Sequence, residues 1–101
     1  MKESLTIYDF VFIGSGMGAL AAANILAQEG HSVLILEKNQ QLGGSLQTFS
    51  RDKRIFDTGV HYIGGLNKDE NLYKIFAHLG ILQHLELMKL DENCFDQIHF
   101  P

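Results

Sequence analysis

The chain has 101 residues, a formal net charge of -4, one cysteine, one proline and no tryptophan. That length allows one compact unit, and apolar and charged fractions of 46% and 20% are those of a globular chain rather than a disordered one. A negative balance without a basic cluster excludes nucleic-acid and anionic-lipid binding on electrostatic grounds, lone Cys94 makes neither an internal disulfide nor a zinc site, and the longest apolar stretch, 17–27, is too short to span a bilayer.

Glu3 and Asp9 interrupt the N-terminal region, so it lacks a signal-peptide pattern, and the expectation is a soluble, cytoplasmic chain. Residues 7–13 are rich in β-branched and aromatic side chains and read as a strand buried on both faces, the habit of a parallel sheet. Gly14-Ser15-Gly16-Met17-Gly18-Ala19 breaks that run. Residues 20–28 are dominated by alanine and leucine and predict a helix, with Gly30 at its stop. Residues 32–37 form a second short apolar run ending in Glu37. Strand, glycine turn, helix and strand in this order make a βαβ unit with a right-handed crossover.

Residues 39–44 are polar and turn-rich and close on Gly43-Gly44. Residues 47–56 predict a hairpin turning at Arg51-Asp52-Lys53-Arg54, and Gly59, Gly64 and Gly65 form a third glycine cluster. Leu72, Ile75, Phe76 and Leu79 stand at the spacing of one helix face, with Asn67 and Glu70 at its start and Gly80 at its end. Residues 85–100 predict two strands around an acidic tip at Asp91, Glu92 and Asn93. The fold class is therefore α/β: a partial Rossmann-like βαβ unit with additional short strands and an amphipathic helix. Sheets usually have about 4–6 strands, and the last residues follow directly on an apparent strand, so the expectation is the front piece of a longer protein.

Gly14, Gly16 and Ala19 fit the G-x-G-x-x-G/A pattern, and each position has a physical reason. Gly14 permits the tight turn, Gly16 lets a pyrophosphate approach the backbone, and Ala19 lets the helix lie against the strands. Gly18 loosens the same turn, and Ser15 and Met17 complete the candidate phosphate cradle. The following helix aims its free N–H groups and positive dipole end at the phosphates, worth about 0.3–2 kcal/mol for the charge. Glu37 ends the second strand, where a carboxylate accepts from a ribose diol. An acid there also opposes a 2′-phosphate, a repulsion that neighbouring Lys38 softens. The bland alternative is a tight strand–helix turn with Glu37 capping a strand and Lys38 solvated. The pattern alone leaves NAD and FAD both open. Gly43, Gly44 and small Ser45 soon after the acid let the chain pass close to a second part of a long ligand.

The span 8–44 resembles the N-terminus of the glutathione-reductase-type FAD enzymes, especially the amine oxidase and phytoene desaturase branch. Ser45 stands where most of that branch has arginine after Gly-Gly. Asp57-Thr58-Gly59-Val60-His61-Tyr62-Ile63-Gly64 looks most like the carotenoid isomerase and retinol saturase subgroup. The resemblance implies FAD as cofactor, with Gly59, Val60 and His61 beside the flavin ring. It further implies redox chemistry or isomerisation at carbon–carbon bonds of a hydrophobic polyene or isoprenoid substrate, and leaves peripheral membrane association of the parent protein open. By the same resemblance 1–84 is the N-terminal part of the FAD-binding domain, and the 85–101 strand pair leads into a substrate domain. The 101-residue chain alone is then expected to be inactive, and the helix face of Leu72, Tyr73, Ile75, Phe76 and Leu79 to be core, the alternative being an exposed face that drives self-association. The rival readings are an NAD-dependent dehydrogenase segment, disfavoured by Gly43-Gly44 and the 57–64 run, and a non-catalytic nucleotide-binding module.

His61 is the one side chain suited to proton donation near a flavin, its alternative being a structural histidine in a glycine-rich loop. Tyr62 reads as a core or pocket wall. His31, His78, His84 and His99 lack metal-ligand spacing, Ser15 and Ser45 lack the G-x-S-x-G context of a hydrolase, and the acids around Cys94 argue against a reactive thiolate. No catalytic residue and no metal ligand is assigned.

Overall fold

A computed structural model describes residues 5–101, so Glu3 lies outside the described residues. The strands and helices are β1 (Phe10–Ile13), α1 (Met17–Gln28), β2 (Val33–Leu36), β3 (Thr48–Arg51), β4 (Arg54–Asp57) and α2 (Asn71–His78), with 3-10 turns at Gly44–Leu46 and Leu82–His84.

β1 and β2 pair in parallel, from Phe10 opposite Val33 to Ile13 opposite Leu36. Both are shorter than their apolar runs, because an extended residue joins a strand only where a partner backbone runs beside it. A side-chain clasp sets the register at the open end. Ser32 donates its N–H and hydroxyl to Asp9 Oδ2 at 2.8 and 2.7 Å, and the Asp9 N–H donates back to the Ser32 hydroxyl oxygen at 3.0 Å. These bonds hold the Asp9 carboxyl below the usual carboxylate range, the Ser32 hydroxyl contributing most.

α1 starts at Met17, earlier than its alanine-rich run, because extended Gly16 (φ -66°, ψ 168°) leads the chain straight from the turn into the helix. Both helices end the same way. The Gly30 N–H bonds Ala27 O and the His31 N–H bonds Leu26 O, and Gly80 and Ile81 repeat this with Ala77 and Phe76. Each is a Schellman closure with a left-handed glycine just past the helix, as Gly30 and Gly80 predict. At the start of α2, Asn67 and Glu70 do meet, but as a turn rather than a first helical turn. The Asn67 N–H donates to Glu70 Oε2 at 2.9 Å while Asp69 takes φ 73°, and the helix begins only after Glu70.

β3 and β4 form the expected antiparallel hairpin, with Arg51 opposite Arg54 and Phe49 stacked on Phe56 at 5.3 Å. Its two loop residues, Asp52 and Lys53, have φ 50° and 61°, the all-positive pattern of a type I′ turn.

The strand pair expected over 85–100 is not formed. Its acidic tip does turn, with the Asn93 N–H on Asp91 Oδ1 at 2.8 Å and Lys89 paired to Glu92, but no ladder joins the flanks. Alternation makes a strand only when a neighbour supplies the hydrogen bonds, and here the flanking segments face the 61–67 loop instead, Tyr62 meeting Phe95 edge-on at 5.7 Å.

α1 packs on β1, β2 and the Gly44–Leu46 turn, with Ala23 at its centre. Ala23 and Leu79 are the buried apolar residues among those described, and the expected core face of α2 is only partly covered, since Ile75 is 52% exposed. The chain exposes 9143 Å², against about 5,700 Å² for a compact chain of its mass. Its radius of gyration is 18.2 Å, against about 13 Å for a compact domain of this length. The α/β framework is in place while the outer face of its sheet, including Ile13 at 91% exposure, has no cover within the described residues. No helix among the described residues is long and apolar enough to cross a membrane.

Candidate nucleotide-binding site

The site grows from the turn between β1 and α1. Gly14 takes φ 98°, which a side chain disfavours, and its N–H donates to Leu36 O at 2.7 Å, tying the turn to the end of β2. Gly16 has an ordinary backbone conformation, and a β-carbon there would meet nothing within 4 Å; the same holds at Gly18. Protein packing therefore does not require glycine at Gly16 or Gly18. What their missing side chains leave is open space against the start of α1.

That helix start has no side-chain cap and no acidic residue in its first turn. Its leading N–H groups and dipole are thus free of internal competition, the condition an anion needs. Ile13, Gly14, Ser15, Gly16, Leu36, Glu37 and Lys38 line a cleft of about 370 Å³ beside it. The observation that tests a nucleotide here is the cradle itself, which added β-carbons would fill, with a carboxylate at one end. The residues fit such a group.

Glu37 is half-buried and heavily engaged. Its Oε2 accepts from the Ser15 N–H at 3.0 Å and from the Ser15 hydroxyl at 2.6 Å, and its Oε1 accepts from the Asn39 N–H at 2.9 Å. These donors lower the Glu37 pKa, the Ser15 hydroxyl most and the Asn39 N–H next, because each favours the charged carboxylate. Ser15 itself is 1% exposed. Its carbonyl and hydroxyl oxygens both receive the Gly43 N–H, at 3.0 and 3.2 Å. One serine thus joins the first glycine turn, the acid on β2 and the second glycine turn.

The second turn closes on the first. Gly16 and Gly43 form a parallel bridge, and a β-carbon on Gly44 would stand 3.2 Å from the Gly16 Cα. Gly59 lies against Ser45 in turn: a β-carbon there would come within 3.1 Å of the Ser45 carbonyl oxygen. The structure therefore brings Gly14, Ser15, Gly16, Glu37, Lys38, Gly43 and Gly44 together, with Ser45 and Gly59 stacked behind them. Gly18 and Met17 lie in the first turn of α1, Met17 largely exposed.

Val60 and His61 are not part of this cleft. His61 lines a separate, mainly apolar cavity of about 710 Å³ with Tyr62, Leu66, Leu87, Leu90 and Phe95 among its walls. Its Nδ1 stands 3.7 Å from Asp57 Oδ2, the acidic neighbour that the sequence does not place beside it. The sequence reading also missed the roles of Ser15 and Asn39. For Ser15 the signal was a hydroxyl inside a turn where glycine or alanine would serve; for Asn39, a backbone donor, no side-chain signal exists. No cluster of three or more metal-ligating side chains occurs among the described residues.

Comparison with known proteins agrees with this geometry. The profile of the NAD(P)-binding Rossmann-like domain family matches residues 13–79, which runs from the end of β1 to the end of α2. The human all-trans-retinol 13,14-reductase is 52% identical over 60 residues, 59% of this chain and 10% of that protein. The zebrafish (Danio rerio) all-trans-retinol 13,14-reductase is 41% identical over 92 residues, 89% of this chain and 14% of that protein. A chloroplastic prolycopene isomerase of an Oncidium hybrid cultivar is 46% identical over 70 residues, 69% of this chain and 12% of its own length. The chain thus spans between 10% and 14% of the length of these curated relatives. Two glycine turns clasped around an uncapped helix start, an acid at the end of the second parallel strand and a family profile covering more than half of the residues agree: the chain belongs to the NAD(P)-binding Rossmann-like domain family.

Proposed function

We propose that this chain is the FAD-binding portion of a flavin-dependent oxidoreductase acting on carbon–carbon bonds of a polyene or isoprenoid substrate. The observation that carries this reading is the Gly16–Gly43 bridge, which sets a second glycine turn beside the pyrophosphate cradle, where a long dinucleotide is held by two loops rather than one. The names of the similar reductases and isomerases support the polyene class of substrate. In this reading the start of α1 neutralises the diphosphate, Glu37 accepts from the ribose, and Gly43, Gly44 and Ser45 pass beside the next part of the cofactor. Gly59, Val60 and His61 follow toward its ring. When bound, the flavin supplies the redox chemistry, and these residues only bind and orient it.

Residues 1–84 then form the nucleotide-binding part and 85–101 the approach to a substrate-binding part. Exposed, unpaired Cys94 fits a reducing, cytoplasmic setting. The exposed apolar residues of α2 and of the outer strand face support self-association of the isolated chain. Turnover by the chain alone is not expected, because among the described residues no catalytic constellation converges on the cleft.

The test is the visible spectrum of the purified chain after incubation with FAD and removal of free ligand. A retained, shifted flavin band is the expected result. Loss of all flavin, with tight retention of NAD in its place, overturns the FAD assignment in favour of a nicotinamide dinucleotide.

A further inference from the structure

We infer that Ser15 seals one oxygen of Glu37, so that this acid offers a ribose a single hydrogen-bond site on Oε1 rather than a two-oxygen clamp. The inference rests on the nucleotide reading above and specifies how its acid works. A carboxylate has about four lone-pair positions, two on each oxygen. On Oε2 both are taken, by the Ser15 N–H at 3.0 Å and the Ser15 hydroxyl at 2.6 Å. On Oε1 one is taken, by the Asn39 N–H at 2.9 Å, which leaves one.

The seal is built to stay shut. Ser15 is 1% exposed, so its hydroxyl has no solvent to turn to, and its acceptor side is engaged by the Gly43 N–H at 3.2 Å. A ligand hydroxyl reaching Oε2 would have to displace a buried hydroxyl and leave it without an acceptor, at the full cost of an unmade buried hydrogen bond. Oε1 carries no such obstacle, the Asn39 N–H that it accepts from lying at the surface. Recognition of a vicinal diol by two oxygens of one carboxylate is therefore closed here. Of the two ribose hydroxyls, one is read by Glu37 and the other is left to solvent. Ser15 is a positioning residue in this scheme: it touches the acid, not the ligand.

The experiment uses the whole chain and two readouts. The first needs no nucleotide: the side-chain carboxyl resonance of Glu37 is followed by NMR through an acid titration, in the unaltered protein and in Ser15→Ala. The expected result is a midpoint that moves up toward the ordinary glutamate value in Ser15→Ala, while Asp9, which bonds Ser32, titrates as before. An unchanged Glu37 midpoint overturns the seal. The second readout needs no mutant: ADP, 2′-deoxy-ADP and 3′-deoxy-ADP are titrated against the unaltered chain by calorimetry. One deoxy analogue is expected to bind about tenfold more weakly than ADP and the other as ADP does. Equal losses for both analogues overturn single-oxygen recognition. A shifted Glu37 midpoint together with no binding of any of the three upholds the seal and overturns the nucleotide reading, so the two failures are distinct.

Discussion

Replacing Gly16 by alanine separates what the fold requires from what the ligand requires. Gly16 sits at φ -66°, where alanine is unstrained, and the new methyl would meet no protein atom within 4 Å. The chain should therefore fold at least as well, and the lost freedom of the unfolded state should add about 0.4–1 kcal/mol. For a domain of about 100 residues each kcal/mol moves Tm by about 4–8 °C, so the expected change lies between nothing and a rise of several degrees. Nucleotide affinity should fall about tenfold or more, because the methyl occupies the space against which a pyrophosphate would lie. Gly14→Ala is the opposite case. Its φ of 98° is unfavourable to any side chain, and the strain, about 1–2 kcal/mol, should appear as a lower Tm whether or not nucleotide is present. The assays are thermal unfolding by circular dichroism and calorimetric titration with FAD or ADP. A Gly16→Ala chain that binds as tightly as the original, or that unfolds more than a few degrees lower, would refute the assignment of that open space to a ligand.

Three further outcomes are expected. Lys53 holds φ 61° in the type I′ turn between β3 and β4, so Lys53→Gly should stabilise the chain by about 0.5–1 kcal/mol in urea unfolding. Asp9 and Glu37 both have lowered pKa values, so they bind protons more weakly folded than unfolded. The stability they contribute is complete above the ordinary carboxylate range, about pH 4, and is lost as pH falls through their folded values; urea midpoints should drop on acidification, and less steeply in Asp9→Asn. The outer sheet face carries Val11 and Ile13 at 54% and 91% exposure, so sedimentation velocity should show concentration-dependent association that Val11→Lys weakens. A strictly monomeric chain at high concentration would remove the argument that this face seeks cover.

What could be read without coordinates was largely what local chemistry governs, the exact helix starts excepted. The βαβ order, the hairpin turn at Asp52 and Lys53, the glycine stops at Gly30 and Gly80 and the acid at the end of β2 each depend on residues close in the chain, through φ preference, helix propensity and capping. Pairing across the chain had to come from the tertiary structure. The strand ends at Phe10 and Val33 follow from the Asp9–Ser32 clasp, and the 85–100 segment fails as a strand pair because no ladder partner reaches it. The same holds for the site. Glycine spacing marked the cradle, but that Ser15 would take both positions of Glu37 Oε2 and bind Gly43 depends on distances between three separate segments. Those distances exist only once α1 has packed on the parallel strands and drawn the second glycine turn against the first, because hydrogen bonds act over about 3 Å and a sequence records order rather than distance.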